Sequence, residues 1–392
     1  MEFLTRAGVV GWTLFNLVIL VLVWLDPGAS SVVDTYREGA LGWWFGRDIF
    51  GPGEHGFIYL PSFAVLFSPF AFLGAPWGDI LWRLVSVGAL SLAVWRALRL
   101  YLPARSFEAF GPALLLILPA GSAALRNGQA TTLMLAMMLF ATLAIAECRW
   151  WRAAAWLALG FAIKPLAAVL LLLAAVLYRP LAGRLLLCVI LVLLLPLLHP
   201  HPSAAWHLYG LGLSKLFTAA TPGPGGWSEI TGLLNEFGLA AAPVTLTLLR
   251  LATAVGVLAI GYFSVRRQEG KIAALDVFAL SICYLMLMNP RTEENTYIML
   301  AATVGLFAVL LWQKEDRPVR ALLLAVICVA MGNQAYGELI YRPTILWFKP
   351  LLCVAFLPFL IESCLAAAFH RDQLCASSSA NWWCAGERRA AP

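Results

Sequence analysis

The chain has 392 residues, of which 61% are hydrophobic and only 12% charged, with a mean hydropathy of +0.83. A soluble domain is about 25% charged, so soluble enzymes, nucleic-acid binders and secreted scaffolds are excluded. The net charge of +6 comes from basic residues in short loops between apolar runs, where it orients a membrane chain.

The apolar runs fall at roughly 8–25, 79–100, 109–125, 130–146, 183–198, 237–263, 272–288, 296–312, 320–335 and 345–369. A membrane helix needs roughly 20 such residues. The stretch up to Leu25 has no small-residue cleavage signal and reads as an uncleaved first helix. Two runs are interrupted, 57–73 by Pro61 and Pro69, and 153–178 by Lys164-Pro165. Proline removes a backbone donor and ends or kinks a helix, and a lysine within the membrane needs water or a partner.

The loops carrying Arg96/Arg99/Arg105, Arg149/Arg152, Arg179/Arg184, Arg266/Arg267/Lys271 and Lys314/Arg317/Arg320 belong in the cytoplasm by the positive-inside rule. That parity requires two short helices meeting at Lys164-Pro165 and a re-entrant or hairpin segment over 57–73. The prediction is an all-α polytopic integral membrane protein with about 12 membrane helices, some short or broken. One membrane domain covers 1–370. A polar cytoplasmic tail, expected to be disordered, covers 371–392.

Two long outer loops, about 26–56 and 199–236, are expected to hold interfacial helices. Among the eight cysteines no disulfide framework or zinc spacing is visible. Of His199, His201 and His207, the first two lie in a Pro-rich turn where neither helix nor strand fixes their spacing, so all three read as polar loop residues and no metal site is assigned. Arg250 falls within a span, where it either pairs with a residue such as Glu236 or Asp276 or snorkels to the surface.

No phosphate-binding GxxxxGK[ST] loop, HExxH or Asp-x-Asp is present. Instead, polar residues gather at the outer ends of the spans. They comprise the carboxylate Asp34, the cations Arg126, Lys164, Arg291, Arg342 and Lys349, the amides Asn127, Gln129, Asn289 and Asn295, and the pair Glu293-Glu294. Cations suit a lipid-linked phosphate, amides and aromatic rings suit a sugar, and a carboxylate can activate an acceptor hydroxyl.

Some of these residues stand in a telling order. An Asp precedes a Tyr in the first outer loop (Asp34, Tyr36). Tyr59-Leu60-Pro61 and Pro69 follow, then Gly128-Gln129, Gly160 with Lys164-Pro165, and late in the chain Asn289-Pro290. This order resembles glycosyltransferase family 87, the polyprenyl-phosphate-mannose-dependent mannosyltransferases of the GT-C superfamily. The likeness spans about 30 to 300.

It implies a multi-pass enzyme of the cell inner membrane with its active site facing the periplasm. The enzyme would move a hexose, mannose by the likeness, from a polyprenyl-phosphate donor to a lipid or glycan acceptor, with inversion. Asp34 would be the general base, and Lys164 and Arg126 would hold the donor phosphate, with Arg291 as a further cation. Tyr36, Tyr59, Asn127, Gln129, Asn289, Glu293, Glu294 and Asn295 are the candidates for contacting sugar or acceptor.

No cofactor is implied, since the donor is a substrate, and the expected partners are membrane lipids, donor and acceptor, without nucleic acid. Members acting on phosphatidylinositol mannosides carry Ser-Pro followed by a His pair. Here the segment has Asn289-Pro290 with Asn295 and Thr296, so the acceptor and the sugar stay open. Two other readings share the polar face: a secondary transporter or lipid flippase, and a lipid-linked glycan ligase or polymerase.

Overall fold

The computed structural model describes residues 2–51, 56–199, 201–220, 226–313 and 318–366. The predicted tail 371–392 lies outside the described residues. Seventeen α-helices and no strand are found among those described.

The helix α1 (Glu2–Leu25) is followed by α2 (Val33–Trp44) and α3 (Pro61–Leu73). The long α4 (Trp77–Tyr101) and α5 (Ser106–Asn127) come next, then α6 (Ala130–Ala146) and the short pair α7 (Trp150–Ile163) and α8 (Ala168–Leu177). After α9 (Arg179–Leu194), a long connecting segment holds α10 (Pro202–Ala220) and α11 (Ile230–Glu236). The chain then runs through α12 (Pro243–Arg267), α13 (Gly270–Met288), α14 (Ile298–Gln313) and α15 (Pro318–Ala330), and ends in α16 (Glu338–Thr344) and α17 (Phe348–Ala366).

Among the described residues, eight helical stretches are long and apolar enough to cross a membrane, namely α1, α4, α5, α9, α12, α13, α14 and α17 with their flanking turns. Together with the shorter α6, α7, α8 and α15 they alternate in direction along the chain, which makes this a multi-pass membrane protein. Contacts fix the two ends of the bundle. At one end Trp24 meets Trp77 edge-on at 4.9 Å. At the other, Thr5 Oγ1 donates to Glu108 O at 2.7 Å and Tyr101 Oη to Lys271 O at 2.9 Å. Among the described residues, the basic positions Arg96, Arg99, Arg105, Arg149, Arg152, Arg179, Arg184, Arg266, Arg267, Lys271 and Arg320 belong to this second end; the helices α2, α10 and α11 belong to the first.

The α13 span is 83% buried and the α14 span 78%, against 6% for α12. So α13 and α14 form the centre, while α12 turns Val244, Leu248, Leu251 and Val255 outward, as a helix facing lipid does. The α1–α5 crossing is close because Gly8 and Gly111 meet there. A Cβ on Gly8 would lie 2.2 Å from Gly111 O, the small-residue contact that membrane helices use.

The break at Lys164 falls where the sequence puts it. Pro165 has no N–H and disfavours helical geometry in the residue before it. Lys164 is accordingly extended (φ −153°, ψ 126°) and a single 3₁₀ turn, Pro165–Ala167, leads into α8.

Two expectations change. The segment 57–73 is not a hairpin: Pro61 starts one 13-residue helix, α3, that runs through Pro69. Packing against α2 sustains it, and Ser68 Oγ accepts from Trp44 Nε1 at 2.7 Å while donating to Ala64 O at 2.9 Å. The span expected from 237 begins only at Pro243, because Gly238 (φ +71°) ends α11 and an extended Ala242 precedes Pro243.

Candidate active site

At the end opposite the basic loops, the break between α7 and α8 faces the loop after α13. Asn289-Pro290 stops α13 as Lys164-Pro165 stops α7: the proline bars helix continuation, and Asn289 is extended (φ −74°, ψ 120°). The loop is tied back by Thr292, whose hydroxyl contacts Asn289 Nδ2 and the carbonyls of Leu285 and Asn289 at 3.1–3.2 Å. It thereby delivers Arg291 and Glu293 to a cavity of about 220 Å³ that Lys164, Asn289 and Leu166 also line.

Lys164 Nζ donates to Thr131 Oγ1 at 2.8 Å. Glu293 and Arg291 act on the same ammonium with opposite signs. The Arg291 guanidinium lies 4.8 Å from the centre of the Trp227 ring, a cation–π contact. A third cation, Lys215 on α10, is buried and donates to Gly51 O at 2.8 Å. Burial and the charge of Arg291 lower its pKa. Two cations, Lys164 and Arg291, and one carboxylate, Glu293, thus converge where two helices are broken.

Asp34 stands in a neighbouring array. Ser31 Oγ accepts the Val33 amide at 3.2 Å, so the start of α2 does not use Asp34 as its cap. The Arg37 guanidinium bridges Asp34 and Asp79. Asp34 is 46% exposed and Asp79 1%, so Asp34 is the accessible carboxylate. One turn along α4, Arg83 donates to Arg126 O at 2.8 Å and to Ser31 Oγ at 3.2 Å.

Gly128 makes this meeting possible. It is left-handed (φ +68°), and a Cβ there would lie 2.6 Å from Val33 Cγ2 and 3.1 Å from Arg83 Cζ. Trp82 Nε1 donates to its carbonyl at 2.8 Å. Tyr36 and Tyr59 link array and cavity: their hydroxyls hydrogen-bond at 3.0 Å, and Tyr36 Oη accepts the Ala130 amide at 3.1 Å. Burial pushes the Tyr36 phenol up to about 12 and Tyr59 well above its ordinary value, with the Glu293 charge adding to both. Both phenols stay protonated, and Glu293 lies within electrostatic reach of the pair.

The family model for glycosyltransferase family 87 matches residues 57–290, more than half of the chain. The chain belongs to glycosyltransferase family 87. It is therefore a membrane glycosyltransferase of GT-C type. A search of curated proteins gave no match. Within the matched segment of this family 87 enzyme lie Tyr59, Gln129, Lys164 and Asn289; Asp34, Arg291 and Glu293 flank it.

The remaining candidates of this glycosyltransferase are distributed as follows. Glu294 points away from the cavity. It pairs with buried Lys349 at 2.5 Å and accepts from Ser228 Oγ at 2.6 Å, closing the joint between α13, α14 and α17. Asn295 is half-buried in the 3₁₀ turn Glu294–Tyr297. The Arg126 side chain is exposed and absent from the cavity lining, and Asn127 contributes its carbonyl to the Val32 amide at 3.0 Å. Gln129 is buried at the start of α6. Arg342 is exposed and pairs with Glu338.

The partner of Arg250 is neither Glu236 nor Asp276 but Glu229, at 3.7 Å. Asp276 accepts instead from Ser264, Gln268 and Ser363 at 2.9 Å each, at the other end of the bundle. His199 lies edge-on to Trp43 at 5.0 Å, and its Nδ1 accepts the His201 amide at 2.9 Å.

Sequence reasoning missed Asp79, Arg83, Thr131 and Trp227 as parts of the site. Asp79 and Arg83 carried a usable signal: two charges one helical turn apart at the head of an apolar run, where ionisable residues are expensive.

Proposed function

We propose that the enzyme transfers a hexose from a polyprenyl-phosphate donor to a hydroxyl of a lipid or glycan acceptor. One observation carries this reading: the cavity holding Lys164 and Arg291 sits at the head of an apolar groove. Leu166 lines the cavity. Val169, Leu172, Leu173 and Val176 follow it at helical spacing and line a groove of about 280 Å³ against Val257 and Leu258 of α12. Cations above an apolar channel suit a phosphate carried on a long hydrocarbon chain. The positive-inside rule supports a periplasmic site in a cell inner membrane, because the basic loops gather at the opposite end. Mannose is the sugar the family suggests.

The reaction is a single displacement. The acceptor hydroxyl gives its proton to a carboxylate, its oxygen bonds the anomeric carbon from the side opposite the phosphate, and the anomeric C–O bond breaks. Polyprenyl phosphate leaves with the electron pair, and the configuration inverts. Lys164 and Arg291 stabilise the charge growing on the leaving phosphate. Asn289 offers an amide to the sugar hydroxyls, and a donor held in the membrane arrives oriented.

Asp34 is the proposed base, being the accessible carboxylate of its array. One observation favours a second assignment: Glu293 lines the phosphate-side cavity and Asp34 does not. Asp34→Asn and Glu293→Gln separate the two, since the base variant loses about 10² to 10⁴-fold in turnover with donor binding retained.

The donor class is tested with purified protein in liposomes containing a membrane lipid extract as acceptor source. A polyprenyl-monophosphate hexose should release polyprenyl phosphate as product forms. Turnover with a nucleotide sugar and none with the lipid-linked donors would overturn the proposal.

A further inference from the structure

A second cavity, about 470 Å³, lies at the far end of the bundle from the active site. Its floor is α6, on which both α4 and α7 pack. Its rim carries Arg96 from α4, Arg152 from α7, and Arg149 and Glu147 from the turn after α6. Glu147 and Arg149 pair at 3.3 Å. Arg96 and Arg152 are exposed and have no ion pair among the described residues.

Beyond this rim the walls turn apolar. Leu92, Phe140, Trp156 and Leu159 line them, with Phe140 and Trp156 tilted against each other at 5.2 Å. From Arg152 to Leu159 is two helical turns, about 10 Å. The cavity is therefore cationic at the membrane surface and apolar inward, open along lipid-facing flanks of α4 and α7 where Leu92 and Ala155 are exposed.

We propose that this cavity binds an anionic phospholipid of the leaflet opposite the active site. Its phosphate sits between Arg96 and Arg152, and one acyl chain lies against Phe140, Trp156 and Leu159. A soluble anion would use the rim and leave the apolar walls unexplained. A zwitterionic lipid would leave the net positive rim uncompensated. Basic pockets between membrane helices on the cytoplasmic side are suited to anionic headgroups. The proposal rests on this cavity alone and is independent of the donor assigned to the other end.

The test is native mass spectrometry of the full chain titrated with phosphatidylglycerol or phosphatidylcholine. The wild type should prefer phosphatidylglycerol by about tenfold or more, and each arginine lost should cost about fivefold. Arg96→Gln with Arg152→Gln should then weaken phosphatidylglycerol about 25-fold, and the corresponding double Lys variant should stay within about threefold of wild type. Ala155→Trp, which fills the apolar part and leaves the charges, should weaken it at least about fivefold.

A control with equal charge loss at the same membrane face, Arg266→Gln with Arg267→Gln, should change affinity less than about twofold. Equal binding of the two lipids by wild type would overturn the site, as would an unchanged affinity in the Arg96/Arg152 or Ala155 variants. So would an equal loss in the control.

Discussion

Replacing Lys164 by Met isolates one charge at the point where α7 breaks. The side chain keeps its length, and the backbone break survives because Pro165 makes it. What is lost is the ammonium that donates to Thr131 Oγ1 at 2.8 Å and lines the cavity with Arg291 and Glu293. A hydrogen bond to a charged group is worth about 1.5–3 kcal/mol. The donor's half-saturation should therefore rise about ten- to 150-fold, by the same free energy. Stability should move by less than about 1 kcal/mol, since an apolar group of similar volume replaces a desolvated cation. Lys164→Arg should recover part of the loss, limited by its broader planar head. Donor titrations in proteoliposomes, with melting temperatures in the same lipid, decide the matter. A Met variant whose half-saturation stays within about twofold of wild type would refute phosphate binding by Lys164.

Lys349→Met should destabilise the protein by about 3–5 kcal/mol, because it strands Glu294 in a buried joint; adding Glu294→Gln should restore more than half of the melting temperature. Gly128→Ala should cost about 1–3 kcal/mol, since the new methyl meets Val33 and Arg83 in a left-handed turn. Its turnover should fall further than its melting temperature explains, because α2 carries Asp34; unchanged turnover would mean that α2 is not positioned there. In a background without the native cysteines, a cysteine at exposed Ser203 should react with an impermeant thiol reagent in intact cells and one at exposed Glu269 should not. Labelling at position 269 alone would turn the enzyme over in the membrane.

Much of the architecture was legible because a membrane helix must satisfy its own backbone and shows this as an apolar run. The break at Lys164-Pro165 was legible for a local reason, proline stereochemistry, and so was the end of α13 at Asn289-Pro290. Partner choice was not. Nothing in the spacing says that Arg250 reaches back to Glu229, or that Glu294 turns to Lys349 while its neighbour Glu293 turns to the cavity. Adjacent residues point to different faces, and which face meets which helix is decided by tertiary packing. The α3 helix misled for the same reason, as packing on α2 sustains a helix through Pro69 that local rules would break. Asp34 stands in the helix α2, and its bridge through Arg37 to Asp79, which joins residues 45 positions apart, was equally illegible.

The central claim is that the donor's phosphate lies in the cavity formed by the broken ends of α7 and α13. A structure of the protein in lipid with an uncleavable polyprenyl phosphonate sugar tests it most directly. The phosphonate should sit within hydrogen-bond reach of Lys164 Nζ and the Arg291 guanidinium, with the hydrocarbon chain along Val169, Leu172 and Val176. A phosphonate bound elsewhere, for instance against exposed Arg126 with the Lys164 cavity vacant, would contradict it.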